Sequence, residues 1–182
     1  MPVPQTLGPT RGPLVSRLFA ALTLQRHFYH EAANGKGATG PAAAVLCLIA
    51  LLRESVALYH LSQVERLWTL ALFVVVALAL ASWLLYSGVA WATARLAAPQ
   101  PVGYARLLRC LAFAQAPTAL LATAHALEPS LYLVAHVVLI GWAFAGMTVG
   151  MRAAADVGTL RAAALALPAF LAQQLLLGLT SF

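Results

Sequence analysis

Acidic side chains are scarce in this sequence: Glu31, Glu54, Glu65, Glu128 and Asp156 are the five among 182 residues, and charged residues of both signs make up 9% of the chain. Water-soluble proteins typically carry about 25%, and a globular domain of this length needs a largely polar surface that so few charges cannot supply. The scarcity also removes the paired carboxylates of general acid and base work, and no Gly-rich phosphate loop or nucleophile elbow stands in for them. Cysteine is short too: Cys47 and Cys110 are the two in the chain, which argues against a disulfide framework or a cysteine metal pattern. Both lie in or beside apolar runs, where a thiol behaves as a small hydrophobe. His27, His30 and Glu31 are in the wrong order for the His-Glu-x-x-His zinc motif. No catalytic, cofactor-binding or metal-binding residue is assigned, and the chain is expected not to be an enzyme.

Apolar residues are what the chain has in abundance, at 62% of its length. Lipid is the expected covering, so the fold class is all-α, a polytopic transmembrane helix bundle. The net charge of +6 comes mainly from arginine, with Lys36 the single lysine. These basic residues are scattered between apolar runs and form no nucleic-acid-binding face. The preference for Ala, Leu and Arg over Lys and Ile is the usage of a GC-rich bacterial genome, which points to a bacterial inner membrane.

Along the chain, residues 1–13 hold Pro2, Pro4, Gly8, Gly12 and Pro13 without the apolar core of a secretory signal, and are expected to form a disordered tail. From Leu14 to Ala33, one helical face collects Leu14, Leu18, Ala21, Leu22, Phe28 and Tyr29, and the other Thr23, Arg26, His27 and His30. This predicts an amphipathic N-terminal helix. It either lies in the headgroup layer, with Phe28 and Tyr29 as aromatic anchors and Arg17 and Arg26 near anionic lipid, or packs on the cytoplasmic face of the bundle. Residues 14–40 thus form an amphipathic segment ending in a Gly-rich linker (Gly35, Gly37, Gly40), and residues 41–182 the transmembrane domain.

Five spans are predicted. The first starts near Pro41, which suits a first helical turn; it is interrupted by Arg53 and Glu54 and resumes over Ser55 to Leu61. The second, Leu67 to about Trp91, has no charge from Leu70 to Leu85 and carries Trp68 and Trp91 near its ends. The third runs from Tyr104 or Leu107 to Ala126 and is expected to kink at Pro117. After the short turn Leu127–Ser130, the fourth covers Leu131 to about Met151, antiparallel to the third, and the fifth Ala162 to Leu179. With the N-terminus cytoplasmic, nine basic residues fall inside (Arg11, Arg17, Arg26, Lys36, Arg95, Arg106, Arg109, Arg152, Arg161) against Arg53 and Arg66 outside. An odd number of spans then leaves the C-terminus external.

Several residues within the spans invite a sharper reading. Gly146 and Gly150, with Gly141 and Ala145 as an offset pair, allow close helix approach, chiefly within the bundle and alternatively between copies of the chain. Arg53 and Glu54 are costly in a membrane and mark either a polar path or a short, tilted helix whose charges reach the outer headgroups beside His60, Gln63, Glu65 and Arg66. Being adjacent, they are expected to point apart and not to pair. His125, Glu128 and His136 bring ligands near one another, but without a further ligand at compelling spacing, and hydrogen-bonded histidines are the commoner case. Gln115, Gln173 and Gln174 serve helix-to-helix hydrogen bonds as readily as a solute path.

The order of these parts resembles the bacterial branch of the Yip family, the Ypt-interacting-protein domain. The resembling stretches are Arg17-Leu-Phe to Phe28-Tyr29, then Gly103-Tyr-Ala-Arg-Leu-Leu-Arg-Cys-Leu-Ala-Phe-Ala-Gln-Ala-Pro117, Gly141-Trp142 through Gly150-Met-Arg152, and Thr159-Leu-Arg-Ala162. The resemblance implies a five-helix membrane bundle and supplies no catalytic residues. Eukaryotic relatives are associated with vesicle traffic and Rab-class GTPases through a longer N-terminal region with an Asp-Leu-Tyr-Gly-Pro motif, which is absent here. The expected function is non-enzymatic membrane organisation or partner recruitment, with the lipid bilayer and membrane proteins or further copies of this chain as partners. The rival is a small-solute or ion transporter or channel subunit using Arg53, Glu54, Gln115 and His136, with Pro117 in its wall.

Overall fold

The computed structural model describes residues 14–35, 37–55, 58–59, 65–98, 100–124 and 127–180, and no strand occurs among them. The expected tail at 1–13, together with His60, Gln63 and His125, lies outside the described residues.

The N-terminal segment forms two short helices, α1 (Leu14–Leu22) and α2 (Arg26–Asn34), where the sequence pattern predicts one. The break is a left-handed residue, Leu24, at φ 53°. The Gln25 amide donates back to the Ala20 carbonyl and the Leu24 amide to the Ala21 carbonyl, both at 3.1 Å, which is the paired closure of a Schellman turn. The Thr23 hydroxyl adds a bond to the Phe19 carbonyl at 2.9 Å. Leucine has no steric licence for this conformation, which costs it roughly 1–2 kcal/mol, so tertiary contacts must hold the turn.

Of the two roles open to the aromatic pair, anchoring in the headgroup layer or packing on the bundle, those contacts match the second. Phe28 and Tyr29 are fully buried, not interfacial anchors. Phe28 sits edge-on against Phe113 at 4.8 Å between centroids, and the Tyr29 hydroxyl reaches the Ala21 carbonyl across the hairpin at 3.5 Å. Burial pushes the Tyr29 phenol far above its ordinary range, so it remains a neutral donor. The polar side of the segment behaves as the helical wheel predicts, with Thr23, Arg26, His27 and His30 exposed.

Next come α3 (Thr39–Arg53) and α4 (Glu65–Ala97), then α5 (Tyr104–Ala114), a 3-10 turn (Ala116–Leu120) and α6 (Leu121–Ala124), and finally α7 (Pro129–Ala155) and α8 (Thr159–Thr180). The kink expected at Pro117 is this 3-10 segment. Proline has no N–H to give, and the chain tightens around it, the Thr118 hydroxyl closing on the Gln115 carbonyl at 2.7 Å.

Four stretches are long and apolar enough to cross a membrane: Trp68–Ala97, Tyr104–Ala124, Pro129–Ala155 and Thr159–Gly178. The first expected span is represented by α3, whose 15 residues fall short of the roughly 20 that a complete crossing needs. Beyond it, Ser55, Leu58 and Tyr59 are again helical.

The run from α5 through α6 occupies the middle of the bundle. Packed around α5 are α2, α3, α4 and α7, while α8 closes against α4 and α7. Gly146 and Gly150 make the closest approach: a Cβ built on Gly146 would stand 3.1 Å from the Ala114 carbonyl oxygen, and one on Gly150 would stand 3.1 Å from the Cys110 Cβ. A Cβ built on Gly141 would meet nothing within 4 Å among the described residues, so Gly141 makes no such approach inside this bundle. Hydrocarbon competes for apolar surface as well as a neighbouring helix does, so close packing and hydrogen bonds must bind these helices. Indole donors supply two of them, Trp83 Nε1 to the Leu108 carbonyl at 2.9 Å and Trp91 Nε1 to the Val102 carbonyl at 3.1 Å.

Candidate functional site: a polar cavity inside the bundle

Between α3, α4, α8 and the kinked central helix lies a partly open cavity lined by Arg53, Ser82, Tyr86, Gln115, Thr118 and Gln173 among apolar neighbours. Each polar group arrives for a local reason. Arg53 is the last residue of α3; Ser82 and Tyr86 are one turn apart on α4; Gln115 and Thr118 flank the proline where the helix tightens; and Gln173 stands on α8 opposite Gln115. Tyr86 and Gln115 are each eleven residues, and Arg53 and Gln173 each fourteen, from the helix ends at Ala97, Tyr104, Thr39 and Thr159. At 1.5 Å per residue this is about 16–21 Å of depth, near the middle of a hydrocarbon layer of roughly 30 Å.

The two glutamines solve their own desolvation problem. Gln115 Nε2 donates to Gln173 Oε1 at 3.1 Å, and Gln173 Nε2 donates to Gln115 Oε1 at 2.5 Å. Both side chains are buried, and each amide retains one N–H and one lone pair for a further partner. The Tyr86 hydroxyl is buried beside Gln115 and within electrostatic reach of Arg53, yet closes no hydrogen bond of sound geometry among the described residues.

Arg53 and Glu54 do pair, contrary to the expectation from adjacency. Arg53 Nε donates to Glu54 Oε1 at 2.7 Å. The argument from adjacent positions assumed a continuous helix, but α3 ends at Arg53 and Glu54 is its cap, with φ −89° and ψ 6°. The pair cancels its own charge, which lowers the cost of an arginine at this depth.

The cavity holds about 30 Å³ of free space, room for one or two water molecules. Of the residues weighed for a solute path, Arg53, Gln115 and Gln173 line it. Pro117 is buried in the core, and His136 lies elsewhere on α7, 3.4 Å from the Tyr132 hydroxyl. Among the described residues no cluster of three or more His, Cys, Asp or Glu could hold a metal ion. Sequence reasoning missed Tyr86, Ser82 and Thr118. A usable signal existed for the first two, since Ser82 and Tyr86 share a face of α4 and Ser82 is the one polar residue between Leu70 and Leu85.

A kinked central helix wrapped by apolar helices, with a polar cavity at mid-depth, defines a polytopic α-helical membrane protein. Compared with protein-family models, the chain matches the Yip1 domain over residues 19–182, and it belongs to that family. No curated protein and no solved structure matches it.

Proposed function

We propose that the chain is a non-enzymatic membrane protein that organises helices or recruits partners at the bilayer, with the α1–α2 segment as its cytoplasmic contact surface. The observation that carries this reading is the way the segment is fastened. Arg109 donates to the Ala33 and Gly35 carbonyls at 2.5 and 2.9 Å, and Arg106 to Asn34 Oδ1 at 2.6 Å. Two guanidinium groups thus meet the negative end of the α2 dipole. On the other side of the hairpin Val15 and Phe19 remain 76% and 63% exposed, an apolar edge on a fixed mount. Further copies of the chain belong to the same class of partner, since the bundle already uses Gly146 and Gly150 internally while Gly141 stays open.

The proposed arrangement keeps five crossing segments, α3 with the helical residues after it being the first, in a bacterial inner membrane with the N-terminus cytoplasmic and the C-terminus external. Residues 14–40 form the contact segment and 41–182 the bilayer domain. A reporter fused after Phe182 tests the orientation: activity confined to the cytosol reverses it.

Photo-crosslinking from position 19 in native membranes tests the function, with protein neighbours expected. The reading fails if purified protein in proteoliposomes moves a specific solute and Arg53→Ala and Glu54→Ala abolish that flux.

A further inference from the structure

A second recess, unconnected with the polar cavity, lies where α2 crosses α7. Arg26, His30 and Arg152 line it, over a floor of Val149 and Ala153. Arg26 and His30 are one helical turn apart and share a face of α2, while Arg152 rises from the last turn of α7 to meet them. The recess holds about 40 Å³ of free space.

No acid lines it among the described residues; Glu31, the acid nearest in sequence to His30, is turned toward His27 at 3.3 Å. Arg152 uses one terminal nitrogen on the Thr159 hydroxyl at 3.0 Å and keeps its other donors. Arg26 and His30 give their side chains to no hydrogen bond or ion pair among the described residues. Two forked cations and an imidazole converging on one recess form the donor set that phosphate oxygens take.

Depth narrows the ligand. Arg152 lies three residues before the end of a 27-residue helix, about 40 Å long by its rise and therefore overhanging a hydrocarbon layer of roughly 30 Å by several ångströms at each end. That overhang puts Arg152 at headgroup level, with Val149 about one turn deeper, toward the acyl region. We infer that the α2–α7 recess binds a phosphate group, supplied by the headgroup of an anionic phospholipid. This inference rests on the recess and not on the recruitment reading.

The test uses the full-length protein in nanodiscs of phosphatidylcholine containing phosphatidylglycerol, with retained lipid measured by native mass spectrometry. Preferential retention of phosphatidylglycerol is expected, falling about tenfold or more in Arg26→Gln/Arg152→Gln, since each basic residue near an anionic surface contributes about a factor of five. Arg26→Lys/Arg152→Lys, which keeps the charge, retains most of the preference, and thermal melting of each variant reports folding separately. In a second arm the detergent-solubilised protein is titrated with inorganic phosphate. Binding lost in the Gln variant supports the phosphate site and assigns it to soluble phosphate, whereas no binding there supports the lipid source. Equal lipid retention by the wild type and the folded Gln variant, together with no phosphate binding, overturns the inference.

Discussion

The central helix and the helix beside it are opposites. In the most apolar 18-residue stretch of Tyr104–Ala124, 78% of residues are buried inside the protein; in that of Trp68–Ala97, 6% are. The helix most shielded from its surroundings is the less hydrophobic of the two, the reverse of a water-soluble core. Lipid removes the reward for hiding apolar surface, so the position of a helix is decided by what it can fit and bond. The central run offers small residues for close approach, a carbonyl for Trp83 and an amide for Gln173. The α4 face that carries Leu70, Phe73, Val74 and Leu78 offers only surface that acyl chains satisfy equally well.

Breaking the central packing is expected to cost the most. Gly146→Leu drives a side chain into the Ala114 backbone, where neither helix can yield, and destabilises by about 3 kcal/mol or more. Gly141→Leu, with open space around it, changes stability by less than about 0.5 kcal/mol. Thermal denaturation in one detergent measures both, and equal effects would erase the distinction between the two faces of α7.

A smaller effect sharpens the comparison with chemistry held constant. Phe113→Ala leaves a void beside Phe28 and is expected to cost about 2 kcal/mol, below the usual range for a buried phenylalanine because lipid takes away much of the transfer term. Phe73→Ala, 72% exposed, removes only contact with acyl chains and stays within about 0.5 kcal/mol of wild type. Reversible unfolding in mixed micelles distinguishes them.

The glutamine pair gives the next step down. Gln115→Leu strands the Gln173 amide and costs about 1–2 kcal/mol, while Gln115→Leu/Gln173→Leu recovers most of the loss because no polar group is left unpaired. A double-mutant cycle with no coupling would show that the two amides hold their places independently. Trp83→Phe comes last, losing the bond to the Leu108 carbonyl for about 1 kcal/mol.

Much of this arrangement could be read from residue order. The second, fourth and fifth expected spans correspond to α4, α7 and α8, because uninterrupted apolar runs with polar punctuation leave little freedom. Pro117 announced the irregular turn within the third. The break at Leu24 could not be read, since a left-handed position is ordinarily marked by Gly or Asn, and here contacts from distant helices impose it on leucine. Burial of Phe28 and Tyr29 was hidden for a related reason: an amphipathic pattern records that one face is apolar but not whether lipid or protein covers it. At the polar cavity, Arg53, Glu54, Gln115 and Gln173 were visible as costly residues in or near apolar runs. Which of them pair was not, because Gln173 meets Gln115, and Tyr86 joins them, only after helices far apart in the chain are assembled, and the Arg53–Glu54 pair depends on where α3 stops.

The interlocked amides have a consequence for how the molecule is made. Gln115 and Gln173 are 58 positions apart, so a growing chain presents the first to the bilayer long before the second exists. Until α8 arrives, the central helix carries an unanswered polar group, and most wrong alignments of the late helix would leave two. α8, made well after the central helix, therefore acts as a latch with one setting, fixing which neighbour and which height count as finished in a solvent that otherwise treats greasy surfaces alike.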